Sequence, residues 1–276
     1  MKLPAKFAAM FAAALLLASC GDDGGNGPST GSSEAGSSCS ATRSSSAVMP
    51  DSAAKCGSDS TFVDARDDRR YRCVTIGTQT WMAENLNYEY KIDGRLYGNF
   101  CPNNSVENCA KYGRLYNWGA AMDTLATHCG YKKNCQLQGR KRTRGVCPRG
   151  WHLPDSAEWV EMLEVAGDNP GKKLKASSGW EYNGENGNGT DDFGFSVLPA
   201  GMGMLADAFV EDYPDSLDAF FEVDMNAFIW TSQEASSWYA YKVDFFHAGA
   251  VIAPWCDENG VDGGKWTANA VRCVQD

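Results

Sequence analysis

Trp151-His152-Leu153-Pro154-Asp155-Ser156-Ala157-Glu158-Trp159 carries a helix start whose ingredients are all local. Asp155 and Glu158 have capping-box spacing: the Asp155 carboxylate accepts from first-turn amides, and Glu158 reaches back to the cap backbone. Trp159, Met162, Leu163 and Ala166 then form one apolar face, and Gly167 stops the helix before Pro170. Upstream, Trp118, Ala121, Met122 and Leu125 recur at helical spacing, so a helix is predicted over residues 116–126. Between the two, the Asp123 to Gly145 stretch is rich in Lys and Arg and poor in apolar residues, and reads as an insertion loop.

Around the helices the pattern changes to period two. Tyr71 to Gly77 alternates as a strand, and a turn at Thr78-Gln79 leads into a second strand at Trp81-Met82. Phe193–Leu198, Ala227–Thr231, Tyr239–Phe245 and Ala270–Val274 are further short strand candidates. Two helices among many short strands, with strands first and last, predict an α+β domain whose termini pair. No internal repeat interrupts it. Residues 61–276 suffice for one domain with a full core.

The amino end has another character. Lys2 and Lys6 precede an apolar run from Phe7 to Ala18 that is too short for a permanent membrane span. Leu17-Ala18-Ser19-Cys20 resembles a bacterial lipobox, which implies a signal peptide over residues 1–19 and a lipid on Cys20. Gly21, rather than aspartate, follows that cysteine, which favours the outer membrane, with surface exposure an option. From Gly21 to Ser60, 19 of 40 residues are Ser or Gly. Such a segment buries too little to offset its ordering entropy, so residues 20–60 read as a flexible tether. Its root-mean-square span as a Gly/Ser coil is about 35 Å.

The whole chain has 25 basic and 35 acidic side chains, a formal charge of −10. Without the two leader lysines the charge becomes −12. That sign argues against nucleic acid and against electrostatic docking on anionic lipid. Eleven cysteines are present, and ten remain if Cys20 is acylated. An even set in an exported chain reads as a disulfide framework. Zinc is disfavoured, because the chain has no CxxC pair and only three histidines. Cys39 and Cys56 lie in the tether, where they pair with each other or Cys56 staples the tether to the domain.

Several segments together resemble the Fibrobacter succinogenes major paralogous domain, a family of exported and cell-surface bacterial proteins. They are Ile76 to Tyr88, Lys111 to Trp118, Cys147 to Pro154, Gly187 to Phe195, Leu198-Pro199-Ala200-Gly201 and Val271-Arg272-Cys273-Val274, in the family's order. The family supplies no biochemical activity to transfer. Residues 151–159 are also similar to a segment of formylglycine-generating enzymes, which have a C-type-lectin-like fold. That likeness implies a disulfide-braced, single lectin-like domain with two helices, short antiparallel strands and long loops. It further implies a bond between Cys147 and Cys273, with Cys101–Cys109 and Cys129–Cys135 as local loops. Cys73 and Cys256 are left over, and their pairing stays open.

Catalysis finds little support. The oxidase chemistry of the formylglycine group needs a second cysteine five residues before the closing one, and Ala268 stands there. No nucleophile elbow is present. His152 reads as a hydrogen-bonded structural histidine, and Glu158 is already committed to a cap. Glu158 with Glu161, or Asp191 with Asp192, would be the carboxylate pairs for glycoside hydrolysis. Nine tryptophans are a heavy aromatic load. Trp81, Trp118, Trp151, Trp159 and Trp230 fall on apolar faces or strands and read as core. Trp180, Tyr182, Trp238, Trp255 and Trp266 lie in polar or Gly-rich contexts, where exposed rings stack on sugars or anchor a partner protein. Asn183, Glu185, Asn186, Asn188, Asp191 and Asp192 offer oxygens that calcium accepts, although the loop lacks EF-hand spacing and reads better as a metal-free turn system. The expectation is a non-catalytic envelope lipoprotein that binds an extracellular polymer, polysaccharide included, or a surface protein. A purely structural or adhesive role is the alternative.

Overall fold

The computed structural model describes residues 53–276 apart from 138, 140, 183, 205–216, 218 and 247–262. Two sheets share the work. The first has strand order β1-β2-β3-β16-β8, formed by Thr61–Asp64, Arg69–Ile76, Gln79–Met82, Val274–Gln275 and Trp151–His152. All its pairings are antiparallel. The second is built on β11 (Met202–Met204), β12 (Ala219–Phe221), β13 (Ala227–Glu234), β14 (Ala240–Phe245) and β15 (Thr267–Ala270). β6 (Asn99–Phe100) and β7 (Leu115–Asn117) extend it through a β7–β15 pairing. Two hairpins stand apart, β4–β5 (Lys91–Ile92 with Arg95–Leu96) and β9–β10 (Glu181–Tyr182 with Glu185–Asn186). The result is a mixed α/β domain, mostly strands, with four disulfides among the described residues.

The carboxyl-terminal segment does not form the single strand that its alternation predicts. It runs as β15 in one sheet, leaves at Val271-Arg272-Cys273, and re-enters the other sheet as β16 between β3 and β8. Arg272, 1% exposed, stands at this crossing. Its Nε donates to Asn85 Oδ1 at 2.8 Å, and its terminal nitrogens donate to the carbonyls of Phe195 and Ser196. Those three acceptors come from two stretches far apart in the chain, around Asn85 and around Phe195-Ser196, so one side chain ties both loops to the crossing.

The main helix forms as its sequence dictates. α4 (Ser156–Ala166) begins with both halves of the capping box in place and ends at Gly167, whose φ is 64°. Trp159, Met162 and Ala166 are buried, and the Trp159 ring lies 4.7 Å from Trp81. The helix start is braced from outside. His152 lies with Nε2 2.8 Å from Glu158 Oε1 and Nδ1 2.8 Å from Asp276 Oδ1. Burial alone would raise the Glu158 pKa, but the His152 bond and the Asp155 amide outweigh it and hold that carboxylate below its usual range. A carboxylate lowered on folding contributes stability above its unfolded value of 4.5, and that contribution disappears as pH falls through the lower folded value. Glu158→Gln should therefore flatten the acid limb of stability: between about pH 5 and pH 3 the wild-type urea midpoint drops more than the variant's. Equal drops would remove Glu158 from the acid response.

Other helices correct the expectations. The predicted helix over 116–126 is broken: its start is β7, then come two single turns, α2 (Trp118–Ala121) and α3 (Thr124–Thr127). Asp123 adopts φ 55° between them, which turns the chain out of helical register and leaves Leu125 64% exposed. A further short helix, α1 (Val106–Tyr112), starts at Ser105, whose side chain caps Asn108 N–H. α5 (Pro170–Leu174) follows α4 directly. So the two-helix count is replaced by five α-helices and a 3-10 turn at Pro102–Asn104 among the described residues. Residues 193–198 form no strand, because Gly194 and Ser196 both take positive φ and fold the segment into turns. Phe195 and Val197 are nonetheless fully buried.

Cysteine pairing follows the framework. Cys147 bonds Cys273 across 126 residues, and Cys101–Cys109 and Cys129–Cys135 close local loops. Cys56 pairs with Cys73. That bond, together with Ala54 N–H donating to Arg149 O at 2.7 Å, fastens the chain to the domain ahead of residue 61. Cys20, Cys39 and Cys256 lie outside the described residues. No helix among the described residues is long and apolar enough to cross a membrane.

Candidate functional site

Of the five aromatics expected at the surface, the structure brings two together. Trp238 is 41% exposed and Trp266 is half-buried beside it. They meet because the turn between β13 and β14 hydrogen-bonds to the segment entering β15. Lys265 N–H donates to Trp238 O at 2.9 Å, and Ala240 N–H donates to Gly263 O at 2.9 Å. Ser236 Oγ accepts from the amides of Trp238 and Tyr239, which fixes the turn. Gly264 lies so close to the indole of Trp266 that a Cβ there would collide with the ring.

A third element completes the cluster, and the sequence concealed it. Tyr131 belongs to the lysine-rich loop read as an insertion. Its ring lies 5.2 Å from Trp238 and 5.5 Å from Trp266, and Tyr239 lies 5.7 Å from Trp266. The rings meet edge to face, at 84°, 72° and 63°. The Lys132 ammonium stands 5.0 Å from the Tyr131 ring and 5.2 Å from Trp238. Burial, then the nearby Tyr239, pushes the Tyr131 phenol above its usual pKa.

This loop owes its position to two devices. The Cys129–Cys135 bond closes it, with Cα atoms 4.2 Å apart. Beneath it the fully buried Lys265 ammonium donates to Lys133 O at 2.9 Å and to Glu234, while Glu234 accepts from Cys135 N–H at 3.1 Å. Burial lowers the Lys265 pKa and the Glu234 contact opposes that shift. The aromatic cluster is therefore held on a rigid base. A cysteine pair six residues apart, with Tyr131 between its members, was the available signal.

The remaining expected positions fall elsewhere. Trp180 corrects the prediction of an exposed ring: it is fully buried, with Nε1 donating to Val197 O at 2.8 Å. The Lys175 ammonium lies 4.6 Å from its ring. Trp255 lies outside the described residues, as do Asn183 and the side chains of Tyr182 and Glu185. In the Asn183–Asp192 loop the side-chain oxygens of Asn186, Asn188 and Asp191 serve turns, and Asp192 is exposed. Asn186 Oδ1 accepts from Asn188 N–H, Asn188 Oδ1 accepts from Trp180 N–H, and both Asp191 oxygens accept from Ser196. No cluster of three His, Cys, Asp or Glu side chains with metal-site geometry occurs among the described residues. The Glu158–Glu161 pair is likewise occupied: Glu161 accepts from Thr78 and Gln79, and Glu158 is held by His152 and the cap. Ala268 lies buried in β15, and Cys273 is bonded to Cys147.

The sequence model of the Fibrobacter succinogenes major domain matches residues 74–275. No curated protein and no solved structure matches the chain at a significant level.

Proposed function

The chain belongs to the Fibrobacter succinogenes major domain family, and on that premise we propose that it is a bacterial envelope lipoprotein whose folded domain recognises an extracellular polymer. The lipid would sit on Cys20, and the Ser/Gly-rich segment would carry the domain away from an outer membrane. A C-type-lectin-like architecture is part of this reading. It is supported by the Cys147–Cys273 bond, by the return of β16 beside β3, and by the long loops.

The observation that carries the reading is the Tyr131–Trp238–Trp266 cluster, an aromatic group left in contact with solvent in a domain that fully buries six other tryptophans. Rigid aromatics supply contact area at small entropic cost, and the Lys265–Glu234 base keeps them pre-organised. Within the cluster, Trp238 is the ring with broad exposure, so one sugar ring or one partner side chain is the natural unit of contact. The test is retention of the full chain on cellulose and xylan. Trp238→Ala should weaken retention about tenfold, equivalent to about 1.4 kcal/mol, with the melting temperature unchanged. No retention of the wild type on any polysaccharide removes the polymer reading.

The edge-to-face packing favours a second reading, a structural or adhesive surface protein without a small ligand. Perpendicular rings make no flat platform for several sugars at once. Unaltered cell-surface assembly in Trp238→Ala would count against that role.

A further inference from the structure

On a different part of the surface, two adjoining clefts of about 250 Å³ and 600 Å³ share Arg69, Asn87, Cys109 and Ala110 in their walls. The smaller cleft counts five Arg or Lys side chains against one acid, and the larger four against two, with Arg69 common to both. A chain of formal charge −10 thus gathers an excess of cations around one concave surface. Concave walls of one sign concentrate ions of the other.

Most of these cations have acidic neighbours, but three features leave positive charge and donors unspent. Arg69 is exposed and makes no salt bridge among the described residues. Arg114 is only 11% exposed at its side chain and bonds Glu89 at 2.6 Å through one terminal nitrogen, yet its Nε is buried without a hydrogen-bond partner. Behind the smaller cleft, Arg272 donates only to neutral acceptors, Asn85 and the carbonyls of Phe195 and Ser196, and the Glu84 and Asp191 carboxylates act on its charge without bonding it. An orphaned guanidinium nitrogen keeps its desolvation penalty when nothing accepts from it. An oxyanion seated in the cleft would meet the exposed cationic donors around it, since guanidinium forks match planar carboxylates. The larger cleft also presents Tyr88, with the Arg66 guanidinium 3.8 Å from its ring centre, and Asn87. The Asn87 amide already donates to Cys109 O at 2.8 Å, but an aromatic ring beside two arginines suits a sugar that carries a carboxylate better than a bare inorganic anion.

We propose that the paired clefts form a binding site for carboxylate-bearing saccharides, with Arg69 and Arg114 as the groups that receive the carboxylate. This site is separate from the aromatic cluster and does not depend on that cluster's role. The test is calorimetric titration of the full chain with oligogalacturonate, with neutral galacto-oligosaccharide, and with inorganic phosphate. Oligogalacturonate should bind, and binding should weaken several-fold between 50 and 200 mM salt, because exposed charge pairs are screened over about 10 Å. Arg69→Ser should weaken it at least tenfold without moving the melting temperature, and Arg114→Lys, which keeps a charge but removes the guanidinium fork, should also weaken it. Trp238→Ala should leave it unchanged. Absence of oligogalacturonate binding overturns the proposal, as does equal binding by Arg69→Ser. Binding of phosphate as tight as that of oligogalacturonate overturns its saccharide component. Loss in Trp238→Ala with retention in Arg69→Ser would return all recognition to the aromatic cluster.

Discussion

Replacing Cys147 and Cys273 together with alanine should lower the unfolding free energy of the domain by about 4–5 kcal/mol. The bond joins residues 126 apart, and constraining so long a loop removes much of the denatured chain's freedom. Both cysteines are fully buried, so alanine is the proper replacement, because serine would add an unsatisfied hydroxyl. Urea unfolding checks the effect: the midpoint should fall steeply under conditions that leave the other three bonds oxidised. The Cys101–Cys109 pair provides an internal scale. Its members are 8 residues apart, so removing it should cost about 2 kcal/mol less. Losses of equal size for both pairs would contradict the chain-entropy account, and a loss under about 1 kcal/mol for Cys147–Cys273 would deny that bond its bracing role.

The second large effect is expected at Arg272. Arg272→Met preserves length and burial while deleting every donor, leaving Asn85 Oδ1 and the carbonyls of Phe195 and Ser196 without their partner. Each buried acceptor so orphaned costs about 1–3 kcal/mol. Against this stands the relief of removing a buried cation. Burial lowers the guanidinium to about 9, so at neutral pH the group is held charged in an environment that disfavours charge. The acceptors outnumber the relieved charge, and a net loss of about 3 kcal/mol is expected. Arg272→Lys should rescue little, since one ammonium cannot span three acceptors on two loops. The measurements are urea unfolding and hydrogen exchange. A loss under about 1 kcal/mol, with unchanged protection at residues 190–198, would show that Asn85 and the Phe195 turn stand without Arg272.

What the sequence made legible was whatever one short segment decides alone. The helix at Ser156–Ala166 announces itself because its cap, apolar face and stop lie within thirteen consecutive residues. The hairpin of β2 and β3 is equally local. Three disulfides were reached through likeness to known families, and the structure pairs them so. Where distant atoms settle the matter, local pattern misleads. Periodicity over 116–126 cannot register that Asp123 turns left-handed, and alternation over 193–198 cannot register that Gly194 and Ser196 do the same. Trp180 looked exposed because its neighbours are polar, yet the Val197 carbonyl and Phe195 draw the surrounding loop over it. Tyr131 was hidden by the opposite error: a lysine-rich loop reads as solvent-facing, whereas the Cys129–Cys135 bond and the Lys265–Glu234 pair beneath it anchor this one.

The passage of one strand-forming segment from sheet to sheet has a consequence for how the molecule assembles. β16 is the wedge between β3 and β8, and β15 joins β7 to β11, so both layers stay open along their middles until residues 267–275 arrive. A polypeptide emerging amino end first can pair β1, β2 and β3, or β13 with β14, but completes neither layer until its last residues arrive. Its topology defers closure and favours an extended, slowly maturing chain, at the expense of rapid early folding.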